Sequence, residues 1–186
     1  MYFRLFIIVN INKKGEKMSF YRVKQFIWGF SSLFKEIDYT YVTKFLNEKE
    51  INIFNKLKHN DKHHCIRVCK DSIKMRNDLN INVDMYTLGR AALLHDVGKS
   101  YRHLSLVEKS AVVLLDKATK GRIKRYNNIK QINVYYNHPK IGTDILKSNG
   151  FENDKELLQV VRYHHNKIID ENNEILKIIK ICDDKN

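Results

Sequence analysis

A histidine and an aspartate stand side by side at the end of an apolar run, Leu93-Leu94-His95-Asp96-Val97-Gly98-Lys99. An imidazole and a carboxylate delivered together at a helix end, with a glycine close behind, offer two ligands to a divalent cation. Alone the pair has a second account, in which Asp96 caps or hydrogen-bonds the helix end. His64, His138, the adjacent His164 and His165, and Asp183 extend the same chemistry along the chain. For any single histidine, satisfied burial or a place at the surface is the commoner explanation. Their order and spacing are what set them apart.

Taken in order, these segments resemble the HD superfamily, in particular its branch with the motif His-Asp-Ile-Gly, where Val97 replaces the isoleucine. His64-Cys65-Ile66-Arg67-Val68 resembles the family's opening His-x-x-Arg-Val, and His138-Pro139-Lys140-Ile141-Gly142 its His-Pro-x-x-Gly segment. His164-His165 is similar to the paired histidines of the cyclic-dinucleotide phosphodiesterases in that superfamily, and Asp183 to their last aspartate. The resemblance spans roughly Asn60 to Asp183. It implies an all-α, single-domain helical bundle of the HD-domain type.

Helical spacing separates the ambiguous pairs. His64 is followed at i+4 by Val68 and His63 by Arg67, so His64 lies nearer the buried stripe and His63 is expected in solvent. Asp183 follows Ile179 and Leu176, whereas Asp184 follows Lys180 and Lys177 on the polar side. His164 and His165 follow Val160 and Val161, so both can face inward, and two adjacent inward imidazoles need a partner such as a metal. His59, His63 and His103 fall outside the pattern.

By the same resemblance, His64, His95, Asp96 and Asp183 hold one ion, and Asp96 bridges to a second held by His138, His164 and His165. Imidazoles and carboxylates without thiolate suit iron or manganese first, then zinc or nickel, better than calcium or magnesium. Two such ions would turn a shared water into a hydroxide nucleophile and clamp phosphoryl oxygens, the chemistry of phosphate-ester hydrolysis. Lys99, one turn on, is placed to donate to a phosphate oxygen, with a plain surface lysine as the alternative. Arg67 is a candidate organiser behind the ligands.

The expected substrate is a small phosphorylated molecule, a nucleotide above all. The Gly-Tyr-Pro motif that follows the paired histidines in cyclic-di-GMP phosphodiesterases is absent, since the chain reads His165-Asn166-Lys167-Ile168-Ile169-Asp170. Cyclic di-AMP stays open. A diadenosine-tetraphosphate-type hydrolase and a non-catalytic nucleotide-sensing module are the competing possibilities.

The elements that must position these residues are helices. A single proline and seven glycines in 186 residues leave few breaks, and 43% hydrophobic content supports one substantial core. Apolar residues from Ser19 to Leu57 recur at helical spacing and predict two or three helices, with the aromatics Phe20, Tyr21, Phe26, Trp28, Phe30 and Phe34 as core or interface. Further helices are predicted across His63 to Met75, from Asp84 as N-cap to His95, from Ser105 to Ala118, from Asp154 to Asn166, and from Glu174 onward. In the Ser105 helix, Leu106, Ala111, Val112, Leu114 and Leu115 mark the expected buried side.

Net charge of +13 is spread evenly through a chain rich in Lys, Asn and Ile, as AT-rich codons would give, so no specific nucleic-acid binding is expected. Its basic field would still draw in an anionic substrate. Cys65, Cys69 and Cys182 are odd in number and read as reduced thiols, the first two buried in the core, in a cytoplasmic protein with no membrane association. Met1 to Ile11 is apolar but well short of the roughly 20 residues of a membrane span. Lys13 to Met18 can be encoded by a purine-rich ribosome-binding run before an ATG, so translation is expected to start at Met18; a genuine frayed terminus is the alternative. The expected organisation is residues 1–17 as an upstream extension, 18–58 as helices packed on the core, and 59–186 as the phosphohydrolase domain. Oligomeric state is left open.

Overall fold

The computed structural model describes residues 35–166 and 172–186. The expectations for residues 1–34, including the Met18 start and the aromatic stripe, lie outside them. Eight α-helices run along the described chain: α1 (Tyr39–Val42), α2 (Glu48–Asn55), α3 (His59–Asp78), α4 (Met85–Leu94), α5 (Leu106–Ala118), α6 (Lys130–Leu146), α7 (Lys155–Tyr163) and α8 (Glu174–Asp183). Short 3-10 turns cover Val97–Tyr101 and Arg122–Tyr126, and no strand occurs among the described residues. The all-α expectation holds.

Polar side chains set the helix starts. Asn47 and Ser105 form reciprocal capping boxes with Glu50 and Glu108, and Asp84, Asp154 and Asn173 each accept from a first-turn amide. The twenty-residue α3 is the central strut, with α4 and α8 packed along it. The turn after α4 lies against α6, which in turn carries α7. Val42, Phe45, Leu46, Ile53, Phe54 and Leu57 join Val68, Leu93, Leu94, Val160 and Ile179 in one core. Cys65, Cys69 and Cys182 are buried free thiols. A half-buried Arg90 ties the chain together by pairing with buried Glu50 before α2 ends and with Asp154 at the start of α7.

Two features differ from the sequence-based expectation. Helix α6 has no predicted counterpart, because Pro139 interrupts the pattern and its buried residues, among them Ile132, Val134, His138 and Gly142, are not uniformly apolar. On α5, of Ala111, Val112, Leu114 and Leu115 on the supposed apolar side, Val112 alone is buried; Leu114 and Leu115 are 66% and 50% exposed and Ala111 is exposed too. Leu114 lines a cleft and not the core. No helix among the described residues is long and apolar enough to cross a membrane.

Candidate metal centre

Helices α3, α4, α6, α7 and α8 each deliver residues to one point. His95 is the C-cap of α4 with Asp96 directly after it, His164 is the C-cap of α7 with His165 after it, His138 lies inside α6, and Asp183 closes α8 opposite His64 of α3. His64 and Asp183, 119 positions apart, meet with Nε2 and Oδ1 3.0 Å apart.

The two oxygens of Asp96 divide the histidines between them. Oδ2 faces Nε2 of His64 at 3.4 Å and of His95 at 3.5 Å, whereas Oδ1 faces Nε2 of His138 at 3.3 Å and of His164 at 3.7 Å. Asp183 completes the ring, with Oδ1 3.6 Å from His95 Nε2 and Oδ2 3.6 Å from His165 Nδ1. His138 and His165 approach through their Nε2 atoms at 3.1 Å. His95, Asp96 and His164 are buried, while His165 keeps 44% of its side chain exposed to the cleft.

Helix geometry orients the rings. The last turn of a helix leaves carbonyls without a backbone donor. His95 donates from Nδ1 to Ala92 O at 2.7 Å, and His164 from Nδ1 to Val161 O at 2.9 Å, each reaching back three residues. In α6 the missing donor is that of Pro139, which has no N–H for Tyr135 O; the Nδ1 of the preceding residue, His138, supplies one at 3.1 Å, shared with Val134 O. A carbonyl only accepts, so in all three rings Nδ1 carries the proton and the neutral ring turns an Nε2 lone pair inward.

Those lone pairs point at carboxylate oxygens, an arrangement that repels itself unless positive charge lies between. Buried His95 Nε2, His164 Nε2 and Asp96 Oδ1 have no hydrogen-bond partner. Protons and Lys99 supply part of that charge: burial opposes the imidazolium of His95, but the Asp96 carboxylate raises its pKa well above the ordinary value. Burial lowers the pKa of His164 to about 4 and that of His165 to about 2. Burial resists the anion of Asp96 too, yet Lys99 and His95 hold its pKa well below the carboxylate range. Unpartnered buried donors of the right type fit divalent transition metals, and three overlapping sets could hold them: Asp96, His138, His164 and His165; His64, His95 and Asp96; His95, His164 and Asp183.

Glycines allow the approach. A Cβ on Gly98 would stand 1.9 Å from His138 O and 2.6 Å from Gly142 N, and one on Gly142 would stand 2.9 Å from Val161. The glycines of the His-Asp-Val-Gly and His-Pro-x-x-Gly segments therefore meet, letting the Asp96 turn lie directly on α6.

Every residue expected as a ligand lies in this cluster, whereas His59, His63 and His103 lie outside it. His63, expected in solvent, is half-buried against His59 and Lys35. Lys99 pairs with Asp96 and Arg67 lines the adjoining cleft of about 1320 Å³. Also in its walls are Lys124, Lys140, Arg162, Tyr135 and Tyr136, which no sequence motif except that around Lys140 singles out. Cations spread evenly in sequence thus gather around one opening.

No curated protein and no solved structure matches the chain significantly. The family model described as HD domain matches residues 62–185, two thirds of the chain and every residue of the cluster, and the protein therefore belongs to the HD domain family.

Proposed function

We propose that the protein is a metal-dependent phosphohydrolase of the His-Asp-x-Gly branch that cleaves a phosphodiester or phosphate ester of a nucleotide. HD domains are commonly metal-dependent hydrolases. The observation that carries the finer reading is the division of Asp96, with one oxygen toward His64 and His95 and the other toward His138 and His164. A carboxylate so placed could serve a cation on either side, and Asp183, which faces His64, His95 and His165, would help hold them. When bound, two divalent ions supply Lewis acidity for water and phosphoryl oxygens.

The chain's own residues do the rest. Backbone carbonyls of Ala92, Tyr135 and Val161 hold three imidazoles in the tautomer that coordinates. Lys99, 24% exposed beside Asp96, is within reach of both the centre and the cleft and would donate to a phosphoryl oxygen as charge builds. Arg67 on α3 would steady the phosphate side of the cleft.

The cleft supports this substrate class. Pockets for small ligands are about 300–1,000 Å³, and this cleft is larger, at about 1320 Å³. Cationic Lys124, Lys140 and Arg162 with Tyr135, Tyr136 and the exposed Leu114 suit a ligand with more than one phosphate and at least one base. A cyclic dinucleotide such as cyclic di-AMP matches, with dinucleoside tetraphosphates next. This reading assigns hydrolysis to residues 59–186 of a cytoplasmic enzyme.

The test is elemental analysis of the full chain purified without chelator under reduced oxygen, beside Asp96→Ala, followed by hydrolysis of cyclic dinucleotides and dinucleoside polyphosphates. Two equivalents of iron, manganese, zinc or nickel, lost in the variant together with hydrolysis, are expected. A wild-type protein that none of these metals loads would exclude the mechanism and leave a nucleotide-sensing module.

A further inference from the structure

Away from the central cluster, a second group of metal-type donors converges at the first turns of α3. His59 and His63, one helical turn apart, bring their Nε2 atoms within 3.2 Å of each other. Both also approach a single backbone carbonyl, that of Lys35, at 2.9 Å from His59 and 3.0 Å from His63. The rings stand edge to face, with centroids 4.8 Å apart and planes at 72°. Two imidazole nitrogens and one carbonyl oxygen thus form a nearly equilateral triangle.

Protons alone serve this triangle poorly. If both rings donate to Lys35 O, their Nε2 atoms face each other donor to donor. If one donates to the other, a single N–H is divided between a nitrogen and the carbonyl, and the second ring has only a lone pair to set against that oxygen. A cation satisfies all three contacts at once. Ligands about 2.1 Å from a first-row ion and separated by about 90–110° lie about 3.0–3.4 Å apart, close to the three separations here.

We propose that His59, His63 and the Lys35 carbonyl form a second, structural metal site, distinct from the central cluster and independent of the hydrolase reading. Imidazole nitrogen with a neutral oxygen suits Zn(II), Cu(II) or Ni(II). The ion clips the chain before α1 to the first two turns of α3, and so links the N-terminal helices to the strut that carries His64. The positive charges of Arg67 and Lys35 act on His63, and among the described residues no carboxylate joins the two imidazoles, so the site is the weaker of the two.

Equilibrium dialysis of the full chain against Zn(II) tests this. Wild type takes up one weakly held equivalent that His59→Ala and His63→Ala lose, with affinity for that equivalent down by about tenfold or more, while phosphate-ester hydrolysis stays unchanged. Lys35→Ala, which keeps the carbonyl, retains it, and Asp96→Ala loses metal from the centre but not this equivalent. The same Zn(II) uptake, in number and affinity, by wild type and both histidine variants would overturn the proposal, whatever the central cluster does.

Discussion

Gly98 lies so close beneath the backbone of His138 that a Cβ added to it would be 1.9 Å from that residue's carbonyl oxygen. The obstruction is main chain on both sides, His138 O and Gly142 N, and cannot swing away as a side chain would. Gly98→Ala must therefore lift the Val97–Tyr101 turn off α6, which separates Asp96 from His138 and His164. Overpacking of this kind costs about 1–3 kcal/mol. The expected result is a melting temperature lower by several degrees and less than half the wild-type metal content, by thermal melts and elemental analysis. A variant with unchanged metal content would show that the turn need not touch α6 for the centre to assemble.

Much of the site was legible because its chemistry is concentrated in short segments. The His-Asp pair, His-Pro-x-x-Gly and His-His need only local order to be noticed, and helical spacing separated His64 from His63 and Asp183 from Asp184. Less legible was what depends on partners distant in sequence. Nothing around Asp96 says which oxygen serves which histidine, because that follows from how α3, α6 and α7 close on the α4 end. Helix α6 was hidden by Pro139, whose interruption of the apolar pattern is the very feature that frees a carbonyl for His138. The α5 pattern misled for a different reason: Leu114 and Leu115 are apolar at helical spacing, but both are exposed, Leu114 on the wall of an open cleft, where periodicity reads the same as at a core.

Lys99 provides a way to separate donation to substrate from metal holding. It pairs with Asp96, whose negative charge raises its pKa despite burial, so it remains a cation throughout the working range. Lys99→Ala removes a positive charge beside the proposed metals and leaves every ligand in place. Metal content should be retained or rise, while kcat for phosphate-ester hydrolysis falls by about 100-fold, as loss of one transition-state donor would give. A parallel fall in metal content would instead assign Lys99 to holding Asp96 in position.

The entry to α5 predicts a pH dependence remote from the centre. Glu108 accepts from the Ser105 amide and from Gln131 and Arg102, and these bonds lower its pKa from the ordinary 4.5 to about 2. A carboxylate depressed in the folded state adds stability that is fully present above its unfolded pKa and is lost as pH falls through the folded one. The melting temperature of wild type should exceed that of Glu108→Gln by a constant margin above about pH 5, and the margin should close between about pH 4.5 and 2. A margin independent of pH across that range would mean that the capping bonds do not depend on the charge.

Pro139 makes the most discriminating prediction, because its two effects have opposite signs. A proline inside a helix ordinarily costs about 3 kcal/mol through its missing N–H and its clash with the preceding turn. Here the carbonyl left over, Tyr135 O, receives the Nδ1–H of His138, and that bond turns Nε2 toward Asp96. In Pro139→Ala the restored amide competes for the same oxygen, so α6 gains a backbone bond while the ring loses part of its anchor. The metal-free protein, melted in chelator, should become more stable, yet affinity for the ion next to His138 should fall by about 10–100-fold, the range found when a ligand's own hydrogen-bond partner is removed. Stability and metal affinity rising together would show that His138 is oriented by the surrounding packing and not by the carbonyl that the proline frees.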